Sequence, residues 1–213
     1  ASADQFRIVV QGRGGHASAP HLTLDPVPVA CAVVQAIQTH VARRIDAFEP
    51  VVVTVARIAA GATRNVIPDR AEIEGSVRTV TPAARRAVLE ALERIARHVA
   101  AAHELTATTE ILQSYPETAN EPSVAREVLA LAAAVLGPER AVELPHPWLA
   151  SEDFSHLLAR VPGAMAFLGT RPPGVAPEAV EPLHSPRMML DEGALSAGVA
   201  MHAAVALGTL GRG

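Results

Sequence analysis

The sequence predicts an α/β fold, and three observations support this prediction. Segments with the two-residue period of strands and the 3.6-residue period of helices follow one another in the order β-α-β-β-α-β over residues 5–113. Both helices of this series begin with a capping residue followed by a proline. The 213 residues are 49% hydrophobic and 19% charged, a composition typical of globular and not of disordered proteins. The order of elements is the split βαβ arrangement of ferredoxin-like domains.

The first strand and the first helix are separated by a glycine-rich turn. Residues 5–11 alternate between apolar and polar side chains, which predicts a strand. The turn at residues 12–15 contains three glycines. Asp25 is a favourable N-cap and Pro26 suits the first helical position, so we expect a helix from there to about Arg44.

Two strands, a helix and a last strand complete the series. Residues 51–58 are rich in β-branched side chains, and residues 69–79 alternate so sharply that one face of the sheet should be covered and the other open. Thr81 precedes a proline and predicts the start of a helix that runs to about Ala102. Residues 105–113 predict the final strand.

The strand at residues 51–58 lies at an edge of the sheet if the connectivity is ferredoxin-like. A long apolar edge strand promotes aggregation unless another strand pairs with it or another element covers it. We therefore predict that a second copy of the chain pairs with this edge in a two-fold dimer. The alternative is cover by a loop or helix of the same chain.

The sequence predicts a domain boundary after residue 115, so that the domains are residues 1–115 and 116–213. The second part contains a predicted helix at residues 122–136, a short helix from Ser151 to about Arg160, and a last helix capped by Asp191. The apolar run 164–168 is interpreted as a fully buried strand. Such a strand needs neighbours on both sides, so we expect residues 116–213 to be part of a larger α/β layer whose sheet lies elsewhere.

Charge and cysteine content exclude several classes of protein. The net charge is −4 without runs of like charge, which argues against binding to nucleic acid or anionic membranes. No apolar run approaches the roughly 20 residues of a membrane span. The single Cys31 excludes a disulfide scaffold and is interpreted as a small buried hydrophobe within the first helix. The absence of a signal peptide predicts a cytoplasmic location.

The densest cluster of chemically active residues follows the first strand and includes His16 and His21. Its glycines fit a dinucleotide-binding fingerprint, but that fingerprint requires a helix to begin at the glycines. The prolines of residues 20–28 prevent a helix before Asp25, so this interpretation is rejected. A tight turn with incidental histidines remains the alternative.

Three further clusters are ambiguous when each is taken alone. Asn65 precedes the strand at residues 69–79, and Arg78 lies on the predicted open face of that strand, where an arginine could bind a carboxylate or simply pair with Glu72 or Glu74. His184 lies in a loop, where a histidine is more often exposed than a ligand. The segment 151–154, Ser-Glu-Asp-Phe, is most simply a helix start.

Taken together, five motifs in this order resemble one family. They are Gly-x-Gly-Gly-His-Ala-x-x-Pro-His followed by Asp-Pro, Asn-Val-Ile-Pro, Val-Arg-Thr, Ser-Glu-Asp-Phe-Ser and Leu-His-x-Pro. The family is the dinuclear-metal amidohydrolases and peptidases, which includes aminoacylases, hippurate hydrolases, auxin-conjugate hydrolases and related carboxypeptidases. The resemblance extends from about residue 6 to about residue 207.

The resemblance implies a fold, an activity and a set of site residues. It implies a ferredoxin-like lid or dimerisation domain, followed by the C-terminal part of a zinc-peptidase-like catalytic domain. It implies hydrolysis of N-acyl amino acids or small peptides by a homodimer with two divalent metal ions, zinc or manganese. His16 matches the lid histidine that stabilises the oxyanion, Asn65 and Arg78 match substrate-binding positions, and His184 matches a metal ligand.

The same resemblance implies that most of the metal ligands and the general base lie outside this chain. We therefore expect a C-terminal fragment that is inactive alone. The alternative is a non-catalytic module for dimerisation or ligand binding. Glu152, Asp153 and His21 lie in the motifs without an assigned role.

Overall fold

The computed structural model describes residues 1–211, which form two compact units. The first unit comprises residues 1–119 and 146–160, and the second comprises residues 120–145 and the chain from residue 161 onward. The first unit contains the strands and helices β1 (Ala3–Gln11), β2 (Gly15–His16), α1 (Pro26–Arg44), β3 (Val51–Ala60), β4 (Val66–Ile67), β5 (Arg70–Thr79), α2 (Pro82–Ala102), β6 (Thr106–Tyr115) and, from its second segment, α4 (Ser155–Leu158). The second unit contains α3 (Pro122–Leu136) and α5 (Ala194–Leu210).

Four of these strands form one antiparallel sheet in the order β3-β5-β1-β6. This is the strand order expected of a split βαβ fold, and it confirms the predicted fold class. The strand β3 lies at an edge, as the sequence predicted, and no strand within residues 1–211 pairs with its outer side. Pairing of this edge with a second copy remains a prediction.

One face of the sheet forms the core of the first unit. The cross-strand neighbours Ile8 and Ile73 are both inaccessible to solvent, and Phe6 lies opposite Gly75. A Cβ atom at position 75 would lie 2.5 Å from Phe6 Cζ and 2.1 Å from the Thr54 carbonyl oxygen. Glycine is therefore required there, because the ring of Phe6 occupies the place of a side chain.

The helices α1 and α2 cover this face, and each starts where the sequence predicted. The Asp25 carboxylate accepts a hydrogen bond from the backbone N–H of Val27, and the Thr81 hydroxyl accepts one from Ala84. Both contacts satisfy N–H groups that a helix start would otherwise leave unpaired. A bidentate ion pair between Arg85 on α2 and the buried Asp4 on β1 further joins helix and sheet.

Cys31 is exposed, so its interpretation as a buried hydrophobe is wrong. The buried positions of α1 are Pro26, Val29, Ala30, Val33 and Ile37, which lie on one side of the helix. Each residue advances about 100° around a helix, so position 31 is turned away from that side. Apolar neighbours in sequence did not indicate which side of the helix the thiol occupies.

Three predictions for residues 151–194 are also wrong. The short helix spans only Ser155–Leu158, so its N-cap is Phe154 and not Ser151, whose hydroxyl instead accepts a hydrogen bond from Arg78. Residues 164–168 do not form a strand, and Phe167 and Leu168 are about half exposed. The last helix begins at Ala194 with Gly193 as its N-cap. Asp191, the predicted cap, lies before the helix, and its carboxylate accepts a hydrogen bond from the Gly193 N–H.

The second unit is built around α3 and α5, which contact each other. A loop segment is tied to the start of α3 because Asn120 exchanges two side-chain hydrogen bonds with the backbone of Met165. Neither helix has a residue that is fully buried within the described part of the chain, and α5 exposes Leu195, Val199, Leu207 and Leu210. Among the residues of this unit that the structure describes, no strand is available to pair with the run 164–168, so it does not form a ladder.

Candidate functional site

His16 and Asn65 are brought together by a small second sheet. The strands β2 and β4 pair so that His16 lies opposite Val66, and the Ala17 N–H donates to the Asn65 carbonyl oxygen at 3.1 Å. The two residues are 49 positions apart in sequence but adjacent on this two-stranded element, and both side chains are exposed.

The glycine-rich turn allows this pairing. The Gly14 N–H donates to the Asp69 carboxylate at 2.8 Å, and a Cβ atom at position 14 would lie only 2.4 Å from the Ile67 carbonyl oxygen. The backbone of β4 thus occupies the space of a side chain, which only glycine permits. The helix α1 begins at Pro26 and not at the glycines, in agreement with the rejection of a dinucleotide fingerprint.

Hydroxyl groups two residues away contact the functional atoms of both side chains. His16 Nδ1 accepts from the Ser18 N–H at 3.1 Å and lies 2.7 Å from Ser18 Oγ. Asn65 Oδ1 accepts from Thr63 Oγ1 at 3.0 Å. An open depression of about 500 Å³ adjoins this element and is lined in part by Ala17, Arg64 and Val66. His21 lies nearby in sequence, in the 3-10 turn Pro20–Leu22, and is exposed.

Arg78 lies on the open face of the main sheet, as the alternation of β5 predicted. The other arginines of this face are ion-paired: Arg7 with Glu72 at 3.0 Å, Arg70 with Glu72 at 3.2 Å and Arg57 with Glu74 at 2.8 Å. The hydrogen bond from Arg7 to Glu72 raises the pKa of this guanidinium above its ordinary value. Carboxylates of the sheet are thus already paired with neighbouring arginines.

Within residues 1–211, no carboxylate lies within 4.0 Å of the Arg78 guanidinium. Its Nη1 donates to Ser151 Oγ at 2.7 Å, in a partly buried contact. The interpretation of Arg78 as one half of an ordinary surface ion pair is therefore wrong. Ser151 belongs to the segment 151–154, so the first unit itself joins two of the sequence motifs.

Arg78 and the element that holds His16 lie at opposite ends of β5. Asp69, which binds the glycine turn, immediately precedes β5, and Arg78 is the penultimate residue of that strand. At about 3.3 Å per residue, the two ends are roughly 30 Å apart. The structure does not bring Arg78 together with His16 and Asn65 within one chain.

His184 lies in the second unit on a strained turn. Its φ angle is +71°, a left-handed conformation that is uncommon for residues other than glycine. The neighbouring Glu181 accepts hydrogen bonds from Arg187 at 2.9 Å and from Ser185 at 3.0 Å. These two donors lower the pKa of the Glu181 carboxyl and keep it an acceptor. The sequence reasoning did not single out Glu181, since nothing in its spacing distinguishes it.

The residues described here do not suffice to hold a metal ion. No group of three or more His, Cys, Asp or Glu side chains in residues 1–211 converges in a way that could bind one. A protein zinc site has about four ligands, and His184 provides a single imidazole.

The sheet order and the two helices on one face define a ferredoxin-like α/β domain, to which the paired β2–β4 element is added. Residues 2–104 match the family model described as the peptidase dimerisation domain. The chain is similar to peptidases and deacetylases of the M20 family, in agreement with the resemblance that its sequence motifs carry.

Two curated relatives illustrate the range of the family. The chain is 35% identical over 208 residues to thermostable carboxypeptidase 2 of Saccharolobus solfataricus, an overlap of 97% of this chain and 51% of the relative. It is 35% identical over 196 residues to an N-acetylcysteine deacetylase of Bacillus subtilis, an overlap of 92% and 49%. The chain thus spans about half the length of the curated relatives it matches.

Solved structures show the same similarity. A dinuclear metal binding peptidase of the M20 family from Bacillus subtilis aligns with a TM-score of 0.77 at 30% identity, over 99% of this chain and 50% of that one. A candidate aminohydrolase from methicillin-resistant Staphylococcus aureus aligns with a TM-score of 0.85 at 29% identity, over 97% of this chain and 52% of that one.

None of the helices within residues 1–211 has the length and apolar content needed to cross a membrane.

Proposed function

We propose that this chain is the C-terminal half of a metal-dependent hydrolase that cleaves the amide bond of N-acyl amino acids or small peptides. In this proposal residues 1–115 are the lid and dimerisation domain, and residues 116–213 are the C-terminal portion of the catalytic domain. The observation that carries the proposal is the pairing of β2 with β4, which places His16 beside Asn65. The relatives named as a carboxypeptidase and an N-acetylcysteine deacetylase act on bonds of this class.

His16 and Asn65 would bind the oxygen of the scissile carbonyl. Both side chains carry N–H groups, both are exposed, and both are anchored by the backbone of β2 and β4. A fixed donor at the position of a developing oxyanion stabilises the transition state more than the ground state, by an amount of a few kcal/mol.

Arg78 would bind the terminal carboxylate of the substrate. A guanidinium offers a planar pair of donors that matches a carboxylate, and Arg78 has no carboxylate partner within the described residues. The contact with Ser151 uses one Nη1 donor and leaves other N–H groups of the side chain for a ligand.

Arg78 and the element that carries His16 are about 30 Å apart along β5, and for this reason we propose that two chains contribute to each site. A small N-acyl amino acid cannot reach both Arg78 and His16 of the same chain. We propose a homodimer paired through β3, in which His16 and Asn65 of one chain serve the site to which the other chain contributes Arg78.

The complete enzyme would use two divalent metal ions, most simply zinc, with His184 as one ligand. The hydrogen bonds from Ser185 and Arg187 to Glu181 restrain the turn in which His184 adopts its left-handed conformation. We also propose a cytoplasmic location, where an exposed thiol such as that of Cys31 stays reduced.

The test is a kinetic comparison in a longer protein that contains this chain, with a panel of N-acyl amino acids as substrates. Arg78→Ala should raise KM for substrates with a free carboxylate by about 10- to 150-fold, the loss of a charged hydrogen bond of roughly 1.5–3 kcal/mol. Arg57→Ala is the matched control, because that arginine lies on the same face but is paired with Glu74. An unchanged KM for Arg78→Ala would remove this residue from the site.

Metal analysis of the present chain tests the proposal that it is a partial enzyme. We expect less than stoichiometric zinc. Tight binding of two zinc ions together with hydrolysis of the substrate panel would contradict the assignment of the remaining ligands to another segment. Binding of substrate without metal and without turnover in any longer form would instead favour a non-catalytic binding module.

A further inference from the structure

We infer that Ser18 and Thr63 are positioning residues that present His16 and Asn65 to a ligand as hydrogen-bond donors. This inference rests on the proposed function, because it specifies how the β2–β4 element would bind a substrate oxygen. Its basis is a feature shared by the two side chains. In each side chain one acceptor atom, Nδ1 of His16 or Oδ1 of Asn65, is hydrogen-bonded to the hydroxyl group of a residue two positions away.

The contact of His16 determines the position of the ring proton. The backbone N–H of Ser18 lies 3.1 Å from Nδ1, and a backbone N–H can only donate. Nδ1 is therefore the acceptor, and the proton of the neutral imidazole is carried by Nε2. Ser18 Oγ, at 2.7 Å from the same nitrogen, then donates its own proton and reinforces this tautomer.

The contact of Asn65 determines the orientation of the side-chain amide. The Thr63 hydroxyl donates to Oδ1 at 3.0 Å, which leaves the two N–H groups of Nδ2 for another partner. Within residues 1–211 no acceptor is bound to His16 Nε2 or to Asn65 Nδ2, and both side chains are exposed. The backbone beneath them is fixed by the hydrogen bond from Ala19 N–H to the His16 carbonyl at 2.9 Å and by the Ala17–Asn65 contact.

This arrangement restricts the chemistry of the ligand. Two neighbouring donors, each with its acceptor atom engaged, match a carbonyl or carboxylate oxygen and do not match an ammonium or hydroxyl donor. The hydroxyls of Ser18 and Thr63 do not contact the ligand in this proposal. They act through the two side chains that do.

The tautomer is measurable on the present chain by long-range ¹H–¹⁵N correlation NMR of its histidine rings. We expect His16 to carry its proton on Nε2, and Ser18→Ala to reduce the population of this tautomer. Because Ser18→Ala keeps the backbone N–H and loses only the hydroxyl, this reduction should be partial, whereas Ser18→Thr, which keeps both donors, should retain the full population. A ring proton on Nδ1 in the unmodified chain, or no change in Ser18→Ala, would overturn the inference.

Kinetics in the longer protein provide the second readout. Ser18→Ala and Thr63→Val should each lower kcat by roughly 2- to 12-fold, the equivalent of one neutral hydrogen bond, with little change in KM. Thr63→Ser should restore kcat because it restores the hydroxyl. Unchanged kcat in both Ser18→Ala and Thr63→Val would refute the positioning role.

The two levels of the argument fail in different ways. Full activity of His16→Ala would refute the proposed function, whatever tautomer NMR reports. A ring proton on Nδ1 combined with an inactive His16→Ala variant would refute only the role of Ser18.

Discussion

The substitution Gly14→Ala tests whether the close approach of β2 and β4 is required for the candidate site. The added Cβ would lie 2.4 Å from the Ile67 carbonyl oxygen and 3.0 Å from the Pro68 carbonyl carbon. Both atoms belong to the backbone, so no side-chain rotation can relieve the contact. The segment that carries Asn65 must then move away from the segment that carries His16.

The expected cost follows from three contributions. Overpacking of this kind costs about 1–3 kcal/mol. Displacement of the Gly14 N–H from the Asp69 carboxylate, an exposed contact of 2.8 Å, adds about 1 kcal/mol. The reduced freedom of alanine in the unfolded chain offsets about 0.4–1 kcal/mol. The free energy of unfolding should fall by about 1–3.5 kcal/mol.

Urea unfolding monitored by circular dichroism measures this loss, and NMR chemical shifts of His16 and Asn65 report the displacement. Gly169→Ala is a matched control, because a Cβ atom there meets nothing within 4 Å. The reasoning is refuted if Gly14→Ala is as stable as Gly169→Ala and leaves the signals of both site residues in place.

Further predictions concern stability, pH dependence and assembly. Arg85→Ala should lower the free energy of unfolding by about 3–5 kcal/mol in urea titrations, because it leaves the fully buried Asp4 carboxylate without its partner; a loss below 1 kcal/mol would contradict this. Partial burial, and then the charges of Arg94 and Arg44, lower the pKa of His40 below its ordinary 6.5. The unfolded chain therefore binds a proton first as the pH falls below about 6.5, and His40→Gln should make the fall in stability below that pH shallower; an unaltered slope would count against it. Light scattering should report a dimer, whereas a monomer whose β3 amides resist hydrogen exchange would indicate cover within the chain.

Local signals in the sequence predicted most elements of the first unit. Asp25 and Thr81 each precede a proline and an amphipathic run, and α1 and α2 begin at those prolines. The alternation of residues 69–79 predicted which side chains of β5 are buried, including Ile73 and Val77. These features depend on neighbours along the chain, so they are visible without coordinates.

Predictions that depended on distant partners were less successful. The run 164–168 has the composition of a buried strand but does not form one, because a strand exists only through hydrogen bonds to other strands. Ser151 is of a residue type that commonly caps helices, but its hydroxyl binds Arg78, which is 73 positions away in sequence. Cys31 lies among apolar residues, yet only the packing of α1 decided that it faces solvent.

The sequence by itself determined the β-α-β-β-α-β order and the family motifs, because periodicity, caps and glycine turns are local properties of the chain. Only the tertiary structure decided that His16 and Asn65 are neighbours on the small second sheet and that Arg78 lies at the end of β5 remote from them. Cross-strand pairing joins residues that are remote in sequence, and the register of that pairing decides which of them are neighbours.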